Sequence, residues 1–296
     1  MTSEVIARLE QAGKRYGEVQ ALDQADLEVR RGEVLAVLGP NGAGKTTAIS
    51  LLLGLLRPDA GSATLFGAAP GALSARRRIG AMLQTAGVPE TLTTGELIAL
   101  FRSYYPQPRT VADIVGLAGV NDLLGRRYGR LSGGQQRRVQ FALSLAGQPE
   151  ILFLDEPTTG LDIDARQTMW KTIRALVAQG GAVVLTTHYL EEAEALADRV
   201  CVLTRGRVVA NGDVQQIRAR VAQRRISCLS RLASEAIAAW PEVRSVARDG
   251  GRIEIITDAA ETVVRQLLFE DSDVSELEVR RAGLAEAFVE ITREAA

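Results

Sequence analysis

Cysteine and histidine are scarce in this sequence. Its 296 residues include two cysteines, Cys201 and Cys228, and a single histidine, His188. Two cysteines can build neither a disulfide framework nor the four-ligand spacing of a structural zinc site. We therefore expect two reduced thiols in the hydrophobic core, as is typical of cytosolic proteins.

Long apolar runs are absent as well. A membrane-spanning helix needs about 18 or more apolar residues in succession, and the runs at 51–58 and 182–187 are much shorter. The first residues, MTSEVIARLEQAGKRYG, lack the apolar segment of a signal peptide. We expect a chain that is soluble or is bound to a membrane only through something else.

Neither sign of charge is in excess. The chain has 35 Lys and Arg residues against 36 Asp and Glu residues, which gives a net charge of −1. A strongly positive field, which would favour nucleic-acid binding, is missing. The charge balance gives no support to a nucleic-acid partner, although it does not exclude one, and we expect none.

Short β-rich runs alternate with helical patterns along most of the chain. This alternation predicts an α/β fold with a largely parallel core sheet. The predicted strands lie at 33–39, 61–67, 78–84, 151–156 and 182–188, with a hairpin over 199–212 that turns at Arg205 and Gly206. One helix is predicted over 46–56, and residues of about 92–146 form a mostly helical subdomain inserted into the core.

The C-terminal part has a different pattern. A polar helix is predicted over 213–225, and residues 226–296 follow in the order βαββαβα, which is close to a ferredoxin-like unit with an added helix. We therefore divide the chain into a first domain, 1–224, and a C-terminal α+β accessory domain, 225–296.

A glycine-rich segment, GPNGAGKTT (39–47), separates a predicted strand from a predicted helix. It fits the P-loop pattern G-x-x-x-x-G-K-[ST] in the context that this motif requires. Gly42 and Gly44 allow backbone turns that a Cβ atom would block, so that amide groups can face a phosphate. Lys45 can then reach the β- and γ-phosphate oxygens of a nucleotide, and Thr46 can hold Mg²⁺.

Two acids end an apolar strand, ILFLDE (151–156). Successive strand residues point to opposite faces, but at the end of a strand the chain can turn both toward one site. Beside a P-loop, Asp155 is then a candidate ligand for Mg²⁺, and Glu156 is placed to activate a water molecule. The alternative is an acidic helix cap before Pro157.

The pentapeptide LSGGQ (131–135) combines a helix-start pattern with two glycines. Ser132 and Gln135 have the spacing of a capping box, and Gly133 and Gly134 carry no side chains that would keep an anion at a distance. A well-capped helix without a ligand is the alternative interpretation.

The P-loop, LSGGQ, the LFLDE strand and a histidine some thirty residues later resemble, in this order, the ATPase domain of ABC proteins. The resemblance covers residues 4–215. It implies a P-loop NTPase core with an antiparallel β subdomain and an inserted helical subdomain. The small C-terminal α+β domain would follow this core. It also implies ATP and Mg²⁺ as cofactors and ATP hydrolysis as the reaction.

The resemblance also implies roles for individual residues. Tyr16 would stack on adenine, Gln84 would reach Mg²⁺ and the membrane partner, and Asp162 would be the D-loop acid. His188 would hydrogen-bond the γ-phosphate and steady the water that Glu156 activates; a histidine satisfied in the core is the alternative. The predicted nucleotide contacts also include the loop residues Gly39, Pro40, Asn41, Gly42, Ala43, Gly44, Lys45, Thr46 and Thr47, and the signature residues Ser132, Gly133, Gly134 and Gln135.

In this family, two subunits sandwich two ATP molecules, with the P-loop of one chain facing the LSGGQ of the other. The resemblance therefore implies a second ATPase subunit, most simply a second copy of this chain. The sequence departs from the family at Ile163, where a proline is common. This position belongs to a turn and holds no ligand.

The chain most resembles the separate ATPase subunits of ABC-2 drug and antibiotic exporters, because GLAEAFVEIT (283–292) is similar to their C-terminal ending. This implies separate polytopic permease subunits and a position on the inner face of the cell membrane. The ATPase of an importer and a non-transport ABC ATPase in a soluble complex are the alternatives.

Overall fold

The structure, a computed structural model, describes residues 4–84, 87–219, 224–281 and 283–295. The chain forms two compact units, of which the first extends to Val214 and the second comprises Gln215–Glu294. Up to Val214 the elements are β1 (Val5–Tyr16), β2 (Val19–Arg30), β3 (Val34–Leu38), α1 (Lys45–Leu52), β4 (Ala60–Leu65), α2 (Leu73–Arg76), β5 (Ile79–Met82), α3 (Thr94–Ser103), α4 (Val111–Ala118), α5 (Gly133–Ser144), β6 (Ile151–Asp155), α6 (Ile163–Ala178), β7 (Ala182–Thr186), α7 (Leu190–Leu196), β8 (Arg199–Thr204) and β9 (Arg207–Asp213). They are followed by α8 (Val214–Ala219), β10 (Arg224–Leu229), α9 (Ser234–Ala238), β11 (Val243–Asp249), β12 (Arg252–Thr257), α10 (Ala260–Glu270), β13 (Ser275–Arg281) and α11 (Leu284–Glu294).

The core of the first unit is a six-stranded sheet in the order β5-β6-β7-β3-β8-β9. The first five strands are parallel, and β9 pairs with β8 in the antiparallel sense. Every residue of β3, β6 and β7 is buried, as expected for parallel strands that are covered on both faces. Because these three strands are neighbours, their carboxyl ends meet at one edge of the sheet.

A second sheet of the first unit is antiparallel, in the order β2-β1-β4. Its strands are irregular: the pairing of β1 with β2 shifts register several times, and Gln11 and Gln24 have left-handed φ angles of 45° and 48°. Such shifts are typical of β-bulges. The sheet confirms the antiparallel subdomain that the family resemblance implies.

The helical subdomain contains α3, α4 and α5. Each helix has an N-cap residue whose hydroxyl oxygen accepts a hydrogen bond from a backbone N–H group. These residues are Thr93, Thr110 and Ser132. The caps satisfy N–H groups that the first turn of a helix leaves without partners. The mostly helical character predicted for this segment is confirmed.

Two helices are shorter than predicted. Helix α1 ends at Leu52 and not at residue 56, because Gly54 adopts a left-handed φ of 66° and leads the chain out of the helix. The helix predicted over 213–225 ends at Ala219, and β10 begins at Arg224; residues 220–223 lie outside the described residues. The hairpin of β8 and β9, in contrast, turns at the predicted Arg205 and Gly206.

The second unit contains an antiparallel sheet in the order β11-β12-β10-β13. Its elements follow one another in the predicted order βαββαβα. The strand β12 alternates between buried and half-buried residues, which is the pattern of a sheet with one face on a core. That core includes Ile226, Cys228 and Ile255. The predicted boundary after residue 224, between the first domain and the C-terminal accessory domain, stays a prediction.

Both cysteines are free thiols and are buried, as predicted. Within the described parts of the chain, no helix is both long and apolar enough to cross a bilayer.

Candidate nucleotide-binding site

A cavity of about 600 Å³ opens at the edge of the core sheet where β3 and β6 end. Its volume lies within the usual range of small-molecule sites. The lining residues are Tyr16, Val19, Ala21, Asn41, Gly42, Ala43, Gly44, Lys45, Thr46, Thr47, Gln84, Asp155 and Glu156. Val19 and Ala21 are additions to the predicted set, since no sequence motif marks these residues of β2.

The loop between β3 and α1 has the backbone that a phosphate cradle requires. Gly42 and Gly44 have φ angles of 79° and 104°, which residues other than glycine rarely adopt. At Gly44 a Cβ atom would lie 2.4 Å from the carbonyl oxygen of Ala21. The first turn of α1 therefore directs backbone N–H groups and the positive end of the helix dipole toward the cavity.

Lys45 is held inside this loop. Its Nζ donates hydrogen bonds to the carbonyl oxygens of Gly39 at 2.7 Å and Pro40 at 3.1 Å. Burial lowers the pKa of Lys45, and the negative charges of Glu156 and Asp155 oppose this shift. The ammonium group is therefore a positive charge in a poorly solvated position, where it attracts a phosphate strongly.

Asp155 and Thr46 form the oxygen-rich part of the cavity. Thr46 Oγ1 lies 3.5 Å from Asp155 Oδ2, and Thr186 Oγ1 donates a hydrogen bond to Asp155 Oδ1. Among the described residues, no group of three or more acidic, cysteine or histidine side chains forms a closed metal cage. One carboxylate and one hydroxyl suit Mg²⁺, which usually takes its other ligands from substrate phosphates and water.

Glu156 has an unusual backbone conformation that brings its side chain to the same cavity as Asp155. Its φ angle is 50°, and its N–H group is fixed by Thr186, whose carbonyl oxygen lies at 3.0 Å and whose Oγ1 lies at 3.2 Å. A left-handed angle in a residue other than glycine costs roughly 1–3 kcal/mol and is often found at functional sites. This turn lets two consecutive carboxylates line one cavity.

His188 lies beside Glu156, and its Nδ1 is 3.3 Å from Glu156 Oε1. It follows β7, which pairs with both β3 and β6. Tyr16 and Gln84 also line the cavity, and the Tyr16 side chain is about half exposed at the end of β1. The structure therefore brings the P-loop, both acids, Tyr16, Gln84 and His188 into one region.

The LSGGQ segment and Asp162 lie elsewhere. None of their residues is among the described residues that line the cavity. Ser132 and Gln135 form the predicted capping box at the start of α5. Asp162 caps α6 by accepting a hydrogen bond from the Ala165 N–H group at 2.8 Å.

The two signature glycines have different surroundings. A Cβ atom at Gly133 would meet nothing within 4 Å, whereas one at Gly134 would lie 2.5 Å from the carbonyl oxygen of Gly160. Gly133 is therefore open to an approaching anion. Gly134 is needed for close packing against the loop that follows Glu156.

The parallel sheet, the phosphate cradle and the acids at the end of β6 together define a P-loop nucleoside triphosphatase. The ABC transporter family model matches residues 22–159. The daunorubicin resistance ATP-binding protein DrrA3 of Streptomyces coeruleorubidus is 41% identical over 95% of this chain and 94% of its own length. The Nod factor export ATP-binding protein I of Burkholderia orbicola (strain AU 1054) is 41% identical over 67% of this chain and 68% of its own length.

Solved structures give the same result. The ATP-binding subunit of an ABC transporter superposes with a TM-score of 0.67 and 27% identity, over 73% of this chain and 92% of that one. A dimeric ATP-binding cassette in a post-hydrolysis state, bound to ADP and Pi, has a TM-score of 0.65 and 25% identity, over 70% of this chain and 98% of that one.

The chain belongs to the ABC transporter family, as an ATP-binding subunit. The family and the fold predicted from the sequence are confirmed. Membership implies ATP binding and hydrolysis, and ATP-binding cassettes of this family generally work as dimers with membrane subunits.

Proposed function

We propose that this ATPase drives the export of drugs or other hydrophobic compounds through separate membrane subunits. The observation that carries the proposal is the extent of the match to DrrA3, which covers 95% of this chain and so includes most of the second unit. The match to the Nod factor export protein covers 67%. Likeness over both units favours an exporter of the drug-resistance type.

In the proposed site, ATP lies in the cavity with its phosphates on the P-loop and its adenine on Tyr16. Lys45 binds the β- and γ-phosphates, and His188 hydrogen-bonds the γ-phosphate. Thr46, Gln84 and Asp155 hold Mg²⁺, which supplies positive charge to the phosphate oxygens. Glu156 accepts a proton from, or orients, the attacking water.

We propose that two copies of the chain complete each other's sites. The support is the separation within one chain: Ser132 and Gly133 are exposed and lie outside the group of residues that line the chain's own cavity. The capped start of α5 can therefore meet a phosphate held by the P-loop of a second copy. Asp162 would lie at the same contact between copies.

The proposed partner in the membrane is a polytopic permease made of separate chains. Gln84 lies two residues after the end of β5, beyond Leu83, and lines the cavity. It precedes the helical subdomain, so it can report nucleotide binding to a permease that contacts this subdomain. The subunit would then lie on the inner face of the cell membrane through that permease.

The test is a pull-down of the tagged full-length Glu156→Gln variant with Mg-ATP from detergent-solubilised membranes, with the partners identified by mass spectrometry. The proposal predicts that a polytopic membrane protein binds and that no solute-binding protein accompanies it. The Lys45→Ala variant, which should not bind ATP well, is the matched control for nucleotide-dependent recovery.

Other outcomes contradict the proposal in different ways. A periplasmic solute-binding protein in the complex would make the chain the ATPase of an importer. Recovery with soluble proteins alone, from both variants, would make it a non-transport ABC ATPase.

A further inference from the structure

Glu192 is a carboxylic acid buried in the first turn of α7. Its exposed fraction is 2%, and it is not among the residues that line the nucleotide cavity. Oε1 accepts a hydrogen bond from Trp170 Nε1 at 3.4 Å, whereas Oε2 accepts none of ordinary geometry from the described residues. A buried carboxyl group with incomplete hydrogen bonding is unfavourable for folding, so its presence calls for an explanation.

The groups around Glu192 come from three segments of the first unit. Burial raises the pKa of Glu192, while the Thr187 and Thr158 hydroxyls, the Trp170 ring N–H and the charge of Arg166 oppose the shift. Trp170 and Arg166 belong to α6. The carboxyl group therefore lies near α6 and near the two loops that carry the threonines, and among the described residues its hydrogen bond of ordinary geometry comes from Trp170 of α6.

The two threonines belong to the segments that carry the candidate catalytic residues. Thr158 lies two residues after Glu156, and Thr187 directly precedes His188. Both threonines are buried. The Tyr189 N–H group donates to Thr187 Oγ1 at 2.9 Å, which closes a turn around His188.

We propose that Glu192 is a positioning residue for ATP hydrolysis, which fixes the turn of His188 against the loop of Glu156. It would thereby set the 3.3 Å contact between His188 Nδ1 and Glu156 Oε1. The proposal rests on the roles proposed above for Glu156 and His188. A displacement of about 1 Å in a catalytic group can lower the rate by roughly 100-fold, so an indirect support of this kind is functionally important.

The first experiment compares the steady-state ATPase kinetics of full-length Glu192→Ala and Glu191→Ala. Glu191 is the exposed neighbour in the same turn of α7, so its variant removes an identical side chain without touching the threonines. We expect Glu192→Ala to lower kcat by about 10- to 100-fold with little change in the KM for ATP. Glu191→Ala should match the wild type. An equal kcat for both variants would overturn the proposal.

The Glu192→Gln variant tests whether hydrogen bonding by this side chain, without a carboxyl group, is enough to maintain kcat. Glutamine keeps an acceptor for Trp170 and adds an N–H₂ donor, so kcat should recover to within about threefold of the wild type. A kcat as low as that of Glu192→Ala would contradict the proposed support. If Glu192→Ala does not fold, Thr187→Val breaks the same link near His188, and an unchanged kcat for it would also overturn the proposal.

A double-mutant cycle with His188→Ala separates positioning from general stability. If Glu192 acts through His188, Glu192→Ala should lower kcat by no more than about twofold once His188 is absent. The same large factor in both backgrounds would overturn the positioning role and leave the proposed site intact. An unchanged kcat for His188→Ala alone would contradict the site itself.

Discussion

His188 Nδ1 and Glu156 Oε1 lie 3.3 Å apart, although 32 positions separate the two residues in the sequence. The distance is set by adjacent strands, since Glu156 directly follows β6, His188 lies two residues after the end of β7, and Asp155 pairs with Thr186. The candidate base, which lines the cavity, therefore lies beside the only imidazole of the chain.

This contact leads to a prediction for His188. If His188 hydrogen-bonds the γ-phosphate as proposed, replacing it by alanine removes a donor to the charge that develops there, and such a loss typically lowers kcat by about 100- to 1,000-fold. The KM for ATP should change little, because the P-loop is unaffected. A phosphate-release assay measures both quantities. His188→Gln retains a donor and should keep more activity; equal activity of all three proteins would contradict the role.

The cavity predicts a role for Tyr16 in nucleotide binding. Its half-exposed ring lines the cavity, and stacking of a base on an aromatic ring is worth about 1–3 kcal/mol. Tyr16→Ala should therefore weaken ATP binding by roughly 5- to 150-fold, as measured by titration calorimetry. Tyr16→Phe keeps the ring and is the control. Equal affinity of the alanine variant and the wild type would place adenine elsewhere.

The signature glycines should respond differently to alanine. At Gly134 a Cβ atom would lie 2.5 Å from the Gly160 carbonyl oxygen, and overpacking of this kind costs about 1–3 kcal/mol of unfolding free energy. Gly133 has open space, so Gly133→Ala should leave the Tm of the nucleotide-free protein unchanged or slightly raised. Thermal unfolding compares the two variants. Equal Tm values would contradict the close packing of Gly134.

Much of the site could be predicted because its motifs lie at the ends of regular elements. The P-loop, the two acids of LFLDE and His188 each come after an apolar run. Such runs identify buried parallel strands. Once β3, β6 and β7 are neighbours, their terminal residues must meet at one edge. The P-loop motif, together with the two acids at the end of an apolar strand, therefore predicts that Lys45, Asp155 and Glu156 lie together.

Other features depend on contacts that a linear pattern does not contain. The sequence pattern does not mark β1 and β2 as strands, because bulges at Gln11 and Gln24 interrupt the alternation of apolar and polar residues. The left-handed conformation of Glu156 and the packing of Gly134 on Gly160 arise from neighbouring backbone. In the sequence, Glu192 cannot be distinguished from the exposed acids of its helix. Only the fold shows that it is buried.

We propose that this cavity hydrolyses ATP with Glu156 as the base that activates water. The most direct measurement is the turnover of purified Glu156→Gln with Mg-ATP, together with its oligomeric state by light scattering. We predict a kcat at least about 100-fold below that of the wild type, with a stable dimer that forms only when ATP is present. Turnover close to that of the wild type would show that Glu156 is not the base.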